Sequence, residues 1–533
     1  MGRNLDKNFT TNLLNLLNEG KFEQVVNQAN KALQRNPKQP DVLNIQGAAY
    51  SKTGNLAAAI TCFEQLVSCD PTNAVGHNNL GVLLKSSGLI KKAILCYRDA
   101  IEKNPKYADA HNNLANTLRE IGKLPDALEA HHIAVKLQPQ NAHFLYNYSL
   151  SLFHNCDYCK VVKYLSKAVA IDPELSIAHF LFGQTKFKLG ELLAAAQHFE
   201  ACIALDKNNA EAFYNLGIVL NKRGLKEAAV SAFLSSLDIK PRSPSAFNNL
   251  GNVYMDLGDM DLAVEAFNAA IASDAKHSAA LWNLSGTVED ISDAETYIEK
   301  CLAADPNHAK ARITLALLNL VKGEYSIFNS LKDTELVNHP MMRSLTWFSG
   351  LPELPMLFFT RWKLFDYVAT LTRRERPFYE FGVFRGDAFR YLIKIYGKGY
   401  GFDTFDGLPE DWHSEQAGSY SSEGQVPNIP GGDFIVGAFE ETLPLYFSEK
   451  RPMASLINFD ADLYSSTICA LNNCQMIIDE DTVLVFDEFI VNENWELDEF
   501  KALNEFCVMN KCSYVVLAVS FFTKQVAVRL KFS

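Results

Sequence analysis

A set of carboxylates and a pair of glycines in the last third of this 533-residue chain have the types and spacing to bind a small ligand. Phe378-Tyr379-Glu380-Phe381 is an apolar, aromatic run that breaks into Gly382 and Gly386, and the amphipathic segment from Ala388 to Tyr396 follows it. The order predicts a strand, a tight turn and a helix N-terminus. Glycine at such a turn lets a ligand approach the backbone without meeting a Cβ and permits positive φ. A second strand, Gly399 to Phe402, ends in Asp403, about 20 residues on, where a doubly wound fold carries the carboxylate that holds ribose hydroxyls. The glycine pattern is Glu-x-Gly-x-x-x-Gly rather than Gly-x-Gly-x-x-Gly, so a pyrophosphate cradle is not implied. An adenosine carrying an amino-acid tail fits better.

Two further acidic groups follow later strands: Asp460 with Asp462, and Asp487 with Glu488. Carboxylates converging on one sheet edge repel unless a cation sits among them, and Mg²⁺ needs only two or three protein carboxylates plus water. Asp460, Asp487 and Glu488 are the expected ligands. The bland alternative is that some of them cap helices or pair with Arg385 or Lys450. His413 lies in a Ser-, Gly- and Pro-rich segment between Glu410 and Gly432 without a clear helix, where a lone loop histidine reads as plain surface, and Asp460 is a candidate catalytic group. Trp412 beside His413 is a candidate stacking surface.

These groups need a parallel sheet to bring them together. From Arg376 onward strands alternate with helices: after 378 and 399, strands are predicted at 433–436, 455–459, 482–486, 513–519 and 525–530, the last two as a hairpin. The aromatic-rich stretch from about 328 to 377, punctuated by Pro340, Pro352 and Pro355, reads as short helices packed on that domain.

Upstream the chain repeats with a period of 34. Blocks begin at Pro40, Ala74, Ala108, Ala142, Ser176, Ala210, Pro244 and Ser278. Their eighth position is always small (Gly47, Gly81, Ala115, Ser149, Gly183, Gly217, Gly251, Ser285), and the twentieth is Ala59, Ala93, Ala127, Val161, Ala195, Ala229 and Ala263. Small residues there let two antiparallel helices approach, and prolines near the block ends stop the second helix. The array resembles the tetratricopeptide repeat, which implies an α-solenoid with a concave groove lined by the first helix of each repeat. With a partial copy ending at Pro37 and a degenerate pair from Ala309 to about Leu331, eight or nine repeats are expected over 6–331, followed by a second domain over 333–533.

One column of the array carries Asn79, Asn113, Asn147, Asn215, Asn249 and Asn283, interrupted by Ile45 and Leu181. Asparagine is a mediocre helix former, so its recurrence asks for a reason. Its amide both donates and accepts, which suits it to gripping an extended peptide whatever the peptide's sequence. A similar ladder is found in the repeats of the O-linked N-acetylglucosamine transferase family, a resemblance that implies peptide capture. The alternative is a solvated inner face.

Composition sets the outer limits. A net charge of −12 argues against broad nucleic-acid binding. Eleven scattered cysteines, with Cys156 and Cys159 as a lone C-x-x-C, suggest reduced thiols, and no apolar run is long enough to span a membrane. A cytoplasmic protein is expected.

The motifs of the second domain together carry a further resemblance. Glu380-Phe-Gly-Val-Phe-Arg-Gly386, Gly401-Phe-Asp-Thr-Phe-Asp-Gly-Leu-Pro-Glu410, Val436-Gly-Ala-Phe-Glu-Glu-Thr-Leu-Pro444, Asp460-Ala-Asp-Leu-Tyr-Ser-Ser-Thr467 and Val485-Phe-Asp-Glu-Phe489 are similar to successive motifs of the macrocin O-methyltransferase family, class I S-adenosylmethionine-dependent enzymes. The resemblance implies an α/β doubly wound, Rossmann-like domain that transfers a methyl group from S-adenosylmethionine to a hydroxyl-bearing acceptor with the help of Mg²⁺. It implies that Glu380, Gly382, Gly386, Asp403 and Phe439 border the cofactor, that Asp460, Asp487 and Glu488 bind the metal, and that the general base is a histidine of the 410–432 segment, which makes His413 the candidate. The pair Asp487-Glu488 departs from the Asp-Asp usual in that family. A non-catalytic peptide-binding scaffold with a degenerate second domain is the alternative.

Overall fold

A computed structural model describes residues 2–532 apart from 414 and 416; Ser533, the last residue of the expected second domain, lies outside the described residues. The chain forms two compact units, Met1–Lys207 and Asn208–Ser533. The repeat period and the compactness divide the chain at different places, because the last repeats pack with the sheet.

The first unit is six antiparallel helix pairs: α1 and α2 (Gly2–Asn18, Phe22–Arg35), α3 and α4 (Pro40–Lys52, Leu56–Cys69), α5 and α6 (Ala74–Ser86, Ile90–Lys103), α7 and α8 (Ala108–Glu120, Leu124–Leu137), α9 and α10 (Ala142–His154, Tyr158–Ile171), and α11 and α12 (Ser176–Lys188, Leu192–Leu205). The second unit opens with four more: α13 and α14 (Ala210–Lys222, Lys226–Ile239), α15 and α16 (Pro244–Leu257, Met260–Ser273), α17 and α18 (Ser278–Ser285, Ile291–Ala304), and α19 and α20 (Ala309–Val321, Ser326–Lys332). Ten pairs are thus described where eight or nine repeats were expected, since both irregular ends form full pairs. The small residue at position eight has a steric cause. A Cβ on Gly81 would lie 2.6 Å from Tyr97, and Gly183, Gly217 and Gly251 meet Phe199, Phe233 and Phe267 in the same way. An aromatic ring from the second helix fills the place of the missing side chain.

After the repeats come α21 (Pro340–Ser349), β1 (Met356–Phe358), α22 (Arg361–Thr370), β2 (Phe378–Phe381), α23 (Asp387–Tyr396), β3 (Gly399–Asp403), β4 (Gly432–Val436), α24 (Phe439–Tyr446), β5 (Leu456–Phe459), α25 (Tyr464–Cys474), β6 (Val483–Phe486), α26 (Glu499–Met509), β7 (Cys512–Ser520) and β8 (Val526–Phe532). The strands form one mixed sheet in the order β1-β7-β8-β6-β5-β2-β3-β4. All seven predicted strands are present. The eighth, β1, was missed: it is a three-residue edge strand in the aromatic stretch, pairing parallel with β7.

Five strands, β2 to β6, run parallel, and β8 lies antiparallel to both β6 and β7. Chain order reverses direction across the sheet between β2 and β5, the point at which an open α/β sheet leaves a crevice. Tyr379, Phe381, Phe402, Phe459 and Phe486 cover one face with α24 to α26, and Phe378, Leu456, Val483 and Val485 cover the other with α22 and α23.

Candidate functional site

The glycine turn after β2 is held by Asp403. Its Oδ2 accepts the N–H groups of Val383 and Phe384, each at 2.7 Å, and its Oδ1 accepts that of Phe405 at 2.7 Å. The expectation that Asp403 holds ribose hydroxyls meets a carboxylate with three of its lone pairs committed to the backbone. The glycines also have reasons other than ligand approach. Gly382 has φ +88°, and a Cβ there would lie 1.9 Å from the carbonyl oxygen of Asp460. Gly386 has φ +79° and faces Ile429. Phe384, between them, is also left-handed at φ +52°.

Beneath the turn, Glu380 of β2 and Asn458 of β5 are register partners, so their side chains share a face. Both are fully buried. Among the described residues, Glu380 Oε2 and both polar atoms of the Asn458 amide make no hydrogen bond of good geometry, although Asn458 lies close enough to Glu380 to offset part of the rise in its carboxyl. Such groups normally find one. Burial, with Asp460 and Asp487 adding repulsion, raises the Glu380 carboxyl well above its ordinary range. Asn458 was not anticipated, although a single amide inside the apolar run Leu456-Ile-Asn-Phe459 is the signal that marks it.

The expected metal ligands are held differently from expectation. Asp487 accepts from Gln525 Nε2 at 2.5 Å and pairs with Arg361 at 3.3 Å. Glu488 pairs with Lys524 at 2.8 Å and accepts from Asn492 at 2.5 Å, while its N–H donates to Glu499 at 3.0 Å. Among the described residues no group of three or more His, Cys, Asp and Glu side chains is arranged to hold a metal ion. Asp487 and Glu488 instead spend carboxylate oxygens on Arg361, Gln525, Lys524 and Asn492. Arg361 and Lys524, rather than Arg385 or Lys450, supply the balancing charge. They do not balance all of it: burial and mutual repulsion raise Asp460, Asp462, Glu488 and Glu499 as well.

His413 Nε2 lies 2.9 Å from Asp498 Oδ2, with both side chains largely covered. With Nε2–H donating to the carboxylate, Nδ1 keeps its lone pair. Asp498, missed from the sequence, sits just before α26. Trp412 is buried and its ring lies 4.8 Å from that of His413, so it offers no open stacking face. Phe439 is a core residue set edge-on to Phe381. The segment 404–431 has no helix among its described residues, only turns and a Trp412–Glu415 bridge.

The asparagine column has a structural role. Asn113 Nδ2 donates to Asn78 Oδ1 at 3.0 Å, Asn147 to Asn112 at 3.0 Å and Asn283 to Asn248 at 2.9 Å; Asn249 donates to the Tyr214 hydroxyl at 3.1 Å. Each of these bonds ties a repeat to the one before it. Asn215 instead donates to Glu211 O of its own helix, and Asn79 accepts from Asn78 at 3.5 Å. Four of the six thus spend an amide hydrogen on the preceding repeat, and Asn215 spends one within its own helix.

The fold and the columns define a helical-repeat protein whose second unit closes with an α/β sheet. Tetratricopeptide-repeat models match residues 40–73, 74–107, 96–129, 180–244 and 244–277, so this region consists of tetratricopeptide repeats. Solved structures similar to the chain include YrrB, described as a tetratricopeptide-repeat protein with an unusual peptide-binding site (24% identity, covering 34% of this chain and 92% of that one, TM-score 0.31). MamA (26%, 31% and 95%, 0.30) and PilF of Pseudomonas aeruginosa (20%, 38% and 92%, 0.35) are also similar. A search of curated proteins finds no match. No helix among the described residues is long and apolar enough to cross a membrane.

Proposed function

We propose that the second unit is an S-adenosylmethionine-dependent O-methyltransferase and that the repeats bring a protein partner or acceptor to it. The observation that carries the reading is the buried pair Glu380–Asn458, unpartnered at the switch point of the sheet and directly beneath a left-handed glycine turn. A ligand with an ammonium or amide tail would complete that pair, and a cationic ligand suits a crevice with more buried carboxylates than cations. Bound there, S-adenosylmethionine would supply the methyl group from a sulfonium. Glu380 and Asn458 would hold the amino-acid tail, and the Asp403-locked turn would border the adenosine. The acceptor oxygen takes the methyl group as its proton passes to a base, and the sulfur is left neutral. His413, oriented by Asp498, is the candidate base through Nδ1.

Calorimetric titration of S-adenosylmethionine into the full chain tests the reading. Micromolar binding that Glu380→Gln weakens at least tenfold is expected; no heat from a folded chain overturns it. The scaffold alternative draws on Asp403, whose commitment to the backbone leaves one lone pair for a ribose, and it predicts that absence of heat.

A further inference from the structure

The fifteenth position of the repeat blocks, where the first helix of a pair turns into the second, is Gly54, Gly88, Gly122, Cys156, Gly190, Gly224 and Gly258. All seven have positive φ, between +57° and +85°. At Gly54, Gly88 and Gly122 a Cβ would meet nothing within 4 Å. At Gly224 it would lie 2.4 Å from the ring of Phe384 and 3.0 Å from Arg385 Cδ. The same turn thus has a second use in the seventh repeat: its bare Cα seats the aromatic residue of the glycine turn after β2. Phe384 is itself left-handed, at φ +52°. A non-glycine residue keeps that conformation only where its surroundings impose it, and such residues gather at ligand clamps. Three contacts impose it here. Asp403 takes the Phe384 N–H, Gly224 makes room for the ring, and Arg385 donates Nε–H to the carbonyl oxygen of Arg223 at 2.8 Å. On either side of them, Lys226 pairs with Asp387 in the first turn of α23 at 2.6 Å, and Arg223 pairs with Glu423. Ser422 and Gly424, the neighbours of Glu423, donate their N–H groups to the carbonyl oxygen of Phe405 at 3.1 and 3.0 Å. The turn between α13 and α14 therefore holds both segments that leave the sheet at its ligand edge, the one after β2 and the one after β3.

We infer that Arg223, Gly224 and Lys226 of the seventh repeat are positioning residues of the cofactor site. They act through Phe384, Arg385 and Asp387 rather than by touching the ligand. Gly382 and Gly386 stand two residues to either side of Phe384, so a shift of its ring turns the backbone at both glycines and spoils the surface that the cofactor must approach. The inference rests on the methyl-transfer reading and adds that the repeat array shapes the site as well as supplying it.

The test compares two glycines of one column in the full chain. Gly224→Ala drives a methyl group into the Phe384 ring, whereas Gly122→Ala puts the same methyl group on a left-handed turn with nothing near it. Both carry the strain of a left-handed alanine, so their difference isolates the contact with Phe384. Calorimetry is expected to give S-adenosylmethionine a Kd at least tenfold higher in Gly224→Ala than in Gly122→Ala, and the latter is expected to match the unaltered chain. Amide hydrogen exchange at 383–387 should speed up in Gly224→Ala alone. Lys226→Met, which leaves the ring seated, is expected to raise Kd about threefold, and Lys226→Arg to restore it. Cofactor bound equally well by both glycine variants overturns the inference and leaves the methyl-transfer reading standing. So does weaker binding with exchange at 383–387 unchanged, since the effect then bypasses the turn. Where Gly224→Ala does not fold, Lys226→Met decides, and an unchanged Kd there overturns the inference. No binding by the folded, unaltered chain overturns both.

Discussion

Asp403 and Val383 are joined across neighbouring strands by a 2.7 Å hydrogen bond, and the same carboxylate oxygen takes the next N–H, that of Phe384. A residue of the type and spacing expected to touch a ligand is first of all the clasp of the turn beside it. Hydrogen bonds to a charged acceptor contribute about 1.5–3 kcal/mol each. Asp403→Ala should therefore lower the stability of the second unit by about 3 kcal/mol or more, and Asp403→Asn by less. Urea denaturation of the full chain separates the two. A cofactor affinity lost in the alanine variant without any change in stability would contradict this account.

The two glycines of the turn should differ in their tolerance. At Gly382 a methyl group collides with the backbone of Asp460, which cannot withdraw, whereas at Gly386 it meets the end of a flexible isoleucine. Gly386→Ala is expected to cost about 1–2 kcal/mol, the penalty of a left-handed alanine. Gly382→Ala should cost more than about 4 kcal/mol or prevent folding. Thermal melts give the ranking, and equal losses would contradict it.

Arg361 and Lys524 supply part of the charge balance in the site, so removing one of them should be costly. Arg361→Met leaves Asp487 buried with Gln525 alone and should destabilise the second unit by about 3–5 kcal/mol. Arg361→Met/Asp487→Asn should recover most of that loss. EDTA should leave both stability and S-adenosylmethionine affinity unchanged. A tenfold fall in affinity on chelation would show that a cation completes the site.

A pH effect is expected from the first unit. His131 is fully buried, with Asn116 Oδ1 at 3.2 Å from Nε2 and Ser151 Oγ at 3.0 Å from Nδ1. Burial, aided by the nearby Arg119, lowers it to about 3. An unfolded histidine titrates near 6.5. Above that value both states are neutral and the group has no effect on stability. Below it the unfolded chain gains a proton that the folded chain refuses, so stability falls by about 1.4 kcal/mol per unit as pH drops from 6.5 towards 3. His198, lowered to about 4 by burial and by His179 and Lys186, acts in the same direction. His131→Gln should remove about half of the loss between pH 6.5 and 5 in urea midpoints followed by helical circular dichroism.

Much of this was legible from residue order. The period of 34 placed the helix pairs because each glycine at position eight answers an aromatic ring sixteen residues later, a purely local relation. The seven strands followed from apolar runs ended by glycines and acids. The site was half legible: Glu380, Asp403, Asp460, Asp487 and Glu488 converge, but their partners come from afar. Arg361 arrives on α22, Lys524 and Gln525 on the final hairpin, and Asp498 from the start of α26. Spacing between distant segments carries no trace of such pairing. The asparagine column was visible at once. The bond that Asn113, Asn147, Asn249 and Asn283 each make to the preceding repeat was not, because it joins residues 35 apart across a packing interface.

The stacking of Trp282 on Phe522 makes the tail of the array a fixed number of units long. Repeat proteins ordinarily gain or lose copies without harm, since each touches only its neighbours. Here the ninth helix pair meets the last hairpin of the chain, the eighth meets α22, and the seventh meets α23 through Lys226 and Asp387. Deleting any one of the three would carry every later contact out of register by a full repeat. Growth and shrinkage by copy number, the ordinary evolutionary freedom of such arrays, is closed to this end of the molecule.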